Sequence, residues 1–250
     1  MSQSPEEFQK KYFKEPFIEN YKWRTTNRYI KQQECNLLTD LSLCIKRLPP
    51  NAKILEVACG EGPNISLLET LQVQQTIIGL DFVFERVAFC QRTLLNMRGV
   101  TASAAELPFK DESFELVFFR DLLHHTADIQ NDVLMECLRV LEKGKMLYFM
   151  EANGHNPCFF IQAIALKPER GLLQSNKKNI NALASRFGES EIVMHGPSNF
   201  FRILFHYSVG FPALANVKIF TMICNVWGWI AEKIMPKTMW SYILVKIVKS

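Results

Sequence analysis

Two glycines and an acid raise the first chemical question. Gly60 and Gly62 lie in the run Glu56-Val57-Ala58-Cys59-Gly60-Glu61-Gly62, whose first two residues end a short apolar segment, Ile54–Val57. Lacking Cβ atoms, they let a ligand come close to the backbone. Twenty-one residues beyond Gly60, at the end of a second apolar segment, stands Asp81. A carboxylate so placed can accept hydrogen bonds from both hydroxyls of a ribose. A tight turn and a helix cap would explain the same residues, but the spaced acid favours a nucleoside. A dinucleotide site asks for a third glycine and a pyrophosphate at the helix N-terminus. Here position 65 is isoleucine, and Glu56 would repel a phosphate while welcoming a cation. A ligand with a ribose, a positive amino group and no phosphate satisfies both.

Candidate bases come next. His124 and His125 follow an apolar run at 114–119 and could take a proton from an acceptor. A core histidine beside a turn cap is an equal reading of the pair. Glu151 follows the next apolar run and faces the same presumed cleft, though a plain loop carboxylate is its first reading. His155, in Gly154-His155-Asn156-Pro157, reads as part of a turn. The seven cysteines are scattered without a CxxC pair. They support neither a zinc knuckle nor a disulfide framework, no metal is expected, and a reducing compartment fits.

The elements that must position these residues alternate regularly. Strand-like runs at 54–57, 76–81, 114–119 and 146–150 are separated by helix-compatible stretches at 64–71, 84–97 and 132–141, with Gly99 and Gly144 placed to end the last two. The first 50 residues, with Tyr12, Phe13, Phe17, Tyr21, Trp23 and Tyr29, read as helices stopped by Pro49-Pro50-Asn51. Alternation of this kind means an α/β fold with a mostly parallel sheet covered on both faces. Ligands then bind outside the carboxyl ends of the strands, where the strand order reverses.

With these motifs in order, the sequence resembles the class I S-adenosylmethionine-dependent methyltransferases. The run 54–62 is similar to the family's glycine-rich first motif, and Ile77-Ile78-Gly79-Leu80-Asp81 to its second. Leu107-Pro108-Phe109 with Asp111-Glu112-Ser113-Phe114-Glu115, then Leu123-His124-His125-Thr126-Ala127-Asp128, then Leu138-Arg139-Val140-Leu141-Glu142-Lys143-Gly144, continue the pattern of the ubiquinone/menaquinone-type subgroup, similar to methyltransferase type 11. The resemblance covers about residues 50–155. It implies a Rossmann-like seven-stranded sheet, completed by a helix at 179–187, a strand at 191–194 and a last strand Tyr242–Val248. It also implies S-adenosyl-L-methionine as cofactor, with Gly60 and Gly62, the backbone of Ala58 and Cys59, and Glu56 around its methionine portion. Asp81 would bind the ribose, Phe82 the adenine face, Ser103 and Ala104 the adenine edge, and Arg120 would lie beside the sulfonium. Two positions depart from the pattern. Ala58 replaces the first glycine, and Ser103 stands where an aspartate is usual.

Between the last two expected strands lies an apolar insertion at 196–238, with Phe200, Phe201, Phe205, Tyr207, Phe211, Phe220, Trp227 and Trp229. The expected organisation is an N-terminal helical cap at 1–50 and a methyltransferase core at 51–250 carrying this insertion as a lid. Single aromatics there read as ordinary core. The whole reads as a pocket for an apolar substrate or a membrane-lying surface. The 13-residue apolar stretch 219–231 is too short to span a bilayer, and the polar N-terminus carries no export signal. Net charge is only +4 on 29 basic and 25 acidic residues, with no basic stripe, which excludes a dedicated nucleic-acid binder. The reading is a cytoplasmic enzyme, peripheral at the inner face of a membrane. It would methylate a hydrophobic small-molecule or lipid-like acceptor at carbon, oxygen or nitrogen. The alternative is a catalytically silent cofactor-binding or interaction protein with the insertion as its partner surface. A nicotinamide-dependent dehydrogenase is disfavoured by Glu56 and the glycine spacing.

Overall fold

The computed structural model describes residues 17–126, 128–196, 200–207 and 210–250. Tyr12, Phe13 and the rest of 1–16 in the expected cap, Ala127, and positions 197–199 and 208–209 of the insertion lie outside the described residues. Seven strands form one sheet in the order β3-β2-β1-β4-β5-β7-β6. They are β1 (Ile54–Val57), β2 (Ile77–Asp81), β3 (Met97–Thr101), β4 (Phe114–Arg120), β5 (Leu141–Ala152), β6 (Ser190–His195) and β7 (Tyr242–Val248). The first five pair in parallel, and β7 runs antiparallel between β5 and β6. All four residues of β1 are buried, as expected of a central strand covered on both faces. The order turns at β1, with β2 on one side and β4 on the other. Their carboxyl ends therefore frame the crevice.

The helices follow from local chemistry. Helix α1 is Phe17–Thr26 and α2 is Arg28–Lys46, with Asn27 capping α2 by accepting from the Ile30 amide at 3.3 Å. Leu37, Leu38, Leu41 and Ile45 make a helical stripe on α2 and pack on Ile54, Phe118 and Tyr148 of the sheet. Helix α3 (Pro63–Thr70) starts with proline directly after Gly62. Then come α4 (Phe84–Thr93), α5 (Gln130–Val140), α6 (Pro157–Ala165) and α7 (Lys177–Ala184). The insertion holds α8 (Phe200–Leu204) and α9 (Lys218–Ile234). It docks on the cap as well as on the sheet. Phe205, Ala215 and Cys224 share a small core with Trp23, Tyr29 and Ile30, and the Trp23 indole donates to the Phe205 carbonyl at 2.7 Å. Among the described residues no helix is long and apolar enough to cross a membrane.

Several boundaries depart from the sequence reading. The stretch 84–97 is not one helix capped by Gly99. The helix ends at Thr93, and Gly99 sits inside β3, paired with Gly79. A Cβ at Gly99 would lie 2.4 Å from a Val87 methyl, so the glycine lets α4 press onto the strand. Gly144 does not end α5 either, because the helix stops at Val140 and β5 begins at Leu141. Gly144, at φ 70°, falls instead where the register with β4 shifts. The helix expected at 179–187 runs over Lys177–Ala184, since Asn176 caps it by accepting from the Asn179 amide at 3.0 Å.

A 3-10 helix, Lys167–Gln174, is pressed against the loop after β4. A Cβ built on Gly171 would stand 1.7 Å from the backbone oxygen of His124. Gly171→Ala should therefore force the two segments apart and cost about 2 kcal/mol or more of stability, read as a lowered midpoint in denaturant. An unchanged midpoint would show that this contact is slack.

Candidate functional site

The loop after β1 is built from three left-handed residues, Ala58 at φ 56°, Gly60 at φ 56° and Gly62 at φ 77°. The two glycines serve different ends. A Cβ on Gly62 would strike Leu94 at 2.6 Å, so that glycine is required by packing on α4. A Cβ on Gly60 would meet nothing nearer than the Arg86 guanidinium at 3.5 Å, which leaves its face approachable. Ala58 holds its left-handed backbone with a Cβ, a conformation that costs roughly 1–2 kcal/mol. Cys59 contributes backbone to this loop, its amide donating to the Leu80 carbonyl at 2.9 Å, while its buried thiol lies beside Gly79.

Asp81 ties β2 to this loop. One carboxylate oxygen accepts from the Gly60 amide at 2.9 Å and the other from the Val83 amide at 2.9 Å. Burial raises its pKa, and these two amides with Arg86 oppose the rise. Each carboxylate oxygen has a second lone pair, so the group can still accept from a ribose. Phe82 follows, half-buried. Ser103 and Ala104 lie in the turn after β3, next to the 81–83 segment through the Ala102 amide bonded to the Asp81 carbonyl at 3.1 Å. The Ser103 hydroxyl accepts from the Ala105 amide at 3.3 Å. Helix α1 covers the loop: Asn20 bonds Glu61, the Tyr21 hydroxyl donates to Ser66 at 3.2 Å, and the Tyr21 ring meets Phe89 edge-on.

Behind the loop lies a buried charge cluster. Glu34 of α2 binds three guanidiniums: Arg120 at 2.6 Å, Arg24 at 2.7 Å, and Arg202. Burial works against the Glu34 charge, but the arginines, Arg120 first, hold its pKa well below the ordinary range. Arg120 also donates to the Tyr242 hydroxyl at 2.7 Å and to Asn64 at 3.3 Å. Its charge is thus used within the protein at the end of β4. Asn64 in turn donates to Glu56 at 2.7 Å. Burial pushes the Glu56 pKa up to about 8, so the group is mostly protonated at neutral pH. The other Glu56 oxygen is buried without a hydrogen-bond partner among the described residues. Such an atom is costly unless a ligand satisfies it.

The two histidines have different roles. His124 is buried, with Nδ1 2.7 Å from Glu151 and Nε2 3.6 Å from Glu169. Burial opposes its charge, but the Glu151 carboxylate, aided by Glu169, raises its pKa to about 10. Glu151 is fully buried, and its second oxygen accepts from the Leu122 and Leu123 amides at 2.8 and 2.7 Å. Glu151 is therefore a strut that holds the loop after β4, not a loop carboxylate. His124 is a charged pin with no free base. His125, half-buried, stacks obliquely on His124 at 4.0 Å between ring centroids. Burial first, then the neighbouring imidazolium, lowers its pKa to about 4. It is neutral at physiological pH and is the histidine able to accept a proton. His155 is exposed in a turn, as read.

The sequence reading gave Glu34, Arg24, Arg202, Asn64, Tyr242 and Glu169 no role at the site, because no local spacing marks them. His124, His125 and Glu169 form the one group among the described residues whose donor atoms, all within 4.8 Å, could hold a metal ion. In the structure a proton on His124 answers the two carboxylates.

The methyltransferase domain family matches residues 55–149. Within those bounds the chain is similar to a methyltransferase domain. Demethylmenaquinone methyltransferase of Lactiplantibacillus plantarum is 32% identical over 113 residues, 42% of this chain and 47% of that protein. Phthiotriol/phenolphthiotriol dimycocerosates methyltransferase 1 of Mycobacterium ulcerans is 32% identical over 133 residues, 52% of this chain and 48% of that protein. The chain thus matches about half the length of these curated relatives. Phosphoethanolamine N-methyltransferase 2 of Haemonchus contortus, solved with S-adenosyl-L-methionine, superposes with a TM-score of 0.68 at 17% identity, over 99% of this chain and 60% of that one. A plantazolicin methyltransferase solved with S-adenosylhomocysteine and a triazolic desmethylPZN analogue gives a TM-score of 0.60 at 12% identity, over 98% and 96% of the two chains. At those identities the likeness is one of fold. The approachable Gly60 face, the Asp81 carboxylate and the unpartnered Glu56 oxygen fit S-adenosyl-L-methionine.

The pinned imidazolium has a pH signature. A ring whose pKa is about 10 when folded and about 6.5 when unfolded stabilises the fold fully below pH 6.5, and that stability is lost as pH rises towards 10. Each unit between the two values is worth about 1.4 kcal/mol. Denaturant unfolding at pH 7 and pH 10 should show a steeper loss for the natural protein than for His124→Gln. Equal losses would mean that the ring is uncharged.

Proposed function

We propose that this protein transfers a methyl group from S-adenosyl-L-methionine to a hydrophobic small-molecule or lipid-like acceptor. The observation that carries the reading is the unit at the turning point of the sheet, where Asp81 is bonded to Gly60 beside a buried, half-satisfied Glu56. In this reading Asp81 receives the ribose, with Phe82, Ser103 and Ala104 on the adenine. Glu56, Gly60, Gly62 and the backbone of Ala58 and Cys59 surround the methionine portion. The cofactor supplies an electrophilic methyl on a positive sulfur. What remains for the chain is alignment and exclusion of water. Residues 1–50 act as the cap that excludes it, with α1 lying across the loop, and 196–238 as the lid of a core at 51–250. Arg120 acts through Glu34 and Tyr242 to fix the end of β4. His125 takes a proton when the acceptor must lose one; with a pKa of about 4 it is a weak base, suited to a proton already acidified during transfer.

The relatives named for menaquinone and phthiotriol chemistry, together with the apolar insertion, support a greasy acceptor. A cytoplasmic enzyme resting on the inner face of a membrane goes with such an acceptor. Calorimetric titration with S-adenosylhomocysteine tests the site. Asp81→Ala should weaken binding by about 1–3 kcal/mol, and unchanged affinity would displace the site from this loop. His125→Ala should slow turnover of a quinone or lipid phenol while leaving cofactor affinity alone. Full activity would return that ring to a structural role. Turnover of any acceptor by the natural chain would end the reading of a silent binding protein.

A further inference from the structure

Helix α9 is inside out. The residues it buries against the protein are small: Thr221, Cys224 and Ala231. The face turned outward carries Ile219, Met222, Val226, Trp229, Ile230 and Ile234, each exposed. An ordinary surface helix buries its large apolar side chains and shows its small or polar ones. The helix is not long and apolar enough to cross a bilayer, which leaves contact along its length as the way to cover this face.

Charge indicates what that is. From 200 to 240 the chain carries Arg202, Lys218, Lys233 and Lys237 against a single acid, Glu232. Arg202 is used by Glu34, which leaves lysines at both ends of the helix, with Lys233 held over the Trp229 ring at 3.6 Å. Between α9 and the start of α2 runs an open groove of about 660 Å³, lined by Arg28, Lys218, Met222, Val226 and Trp229. Two cations border one apolar trough, which matches a negatively charged headgroup above an acyl chain. Apolar helices with tryptophan on the greasy face and lysine at the rim lie in the interface of a bilayer. Helix α6 exposes a second apolar set, Phe160, Ile161 and Ile164, and its cap Asn156 donates to the carbonyl of Met239, which follows α9 in the chain.

We propose that the outward face of α9 docks in plane on an anionic lipid bilayer, with Arg28 and Lys218 receiving a lipid phosphate. The inference deepens the reading of a lipid-like acceptor, since α8 and the turns before α9 belong to the same lid, but its test does not depend on turnover.

Flotation of the full chain with vesicles of phosphatidylcholine alone, or with phosphatidylglycerol added, supplies that test. The chain should float with the anionic vesicles, and tryptophan emission should shift to the blue. Lys218→Glu with Lys233→Glu should reduce binding about tenfold or more. Val226→Glu with Ile230→Glu should abolish it. S-adenosylhomocysteine binding by both variants at the natural affinity shows that they are folded. Failure to float with either vesicle, or a dimer in solution that Val226→Glu with Ile230→Glu dissolves, would overturn the docking and assign the face to a second copy of the chain. Flotation without any S-adenosylhomocysteine binding by the natural protein would leave the docking in place and remove the cofactor reading instead.

Discussion

One carboxylate holds three cations and, through them, much of the architecture. Glu34 is buried on α2, and its partners come from α1, from β4 and from α8. Removing a charge from water costs several kcal/mol, which only close opposite charges and further hydrogen bonds repay. Asn64 and Tyr242 supply some of those bonds, so α3 and β7 join the same network. Helices α1, α2, α3 and α8 and the central sheet therefore share one electrostatic centre. Three guanidiniums around one acid also leave surplus positive charge, which Asp121, 3.2 Å from the Arg120 Nε, partly answers.

The sheet was largely legible because each strand carries its own signal. Short apolar runs mark β1, β2, β4 and the inner part of β5, while β6 and β7 were expected from the family resemblance, and the ends of β7 match residue for residue. Strand β3 was hidden. Its residues, Met97-Arg98-Gly99-Val100-Thr101, mix charge and glycine, since the strand lies at the sheet edge and only Met97 is fully buried. A glycine there looks like a helix stop, whereas its role is to admit Val87 of the covering helix.

The site was legible only as far as its residues are neighbours in sequence. Glycines and an acid at fixed spacing announce themselves, and the structure bonds Gly60 to Asp81 directly. Glu34 is one acid among many on an amphipathic helix until Arg120, 86 residues away, meets it. Glu169 likewise acquires meaning only when Gly171 lets its segment touch the histidine loop. The same proximity separates His124 from His125, which adjacent positions in a sequence cannot do: one lies between two carboxylates, and the other lies beside the resulting cation.

Glu56 carries a consequence for thermodynamics. At neutral pH the group is mostly protonated, because burial outweighs the Asn64 hydrogen bond and the nearby Arg24 and Arg120 charges. In the proposed site, a cation arriving at its free oxygen would favour the ionised form, so association would expel a proton into the solvent. The observed heat of binding will then vary with the ionisation enthalpy of the buffer, and affinity will strengthen as the medium becomes more alkaline, levelling off near pH 8. A buried acid in the first strand would thus make cofactor loading sensitive to the proton concentration of the compartment.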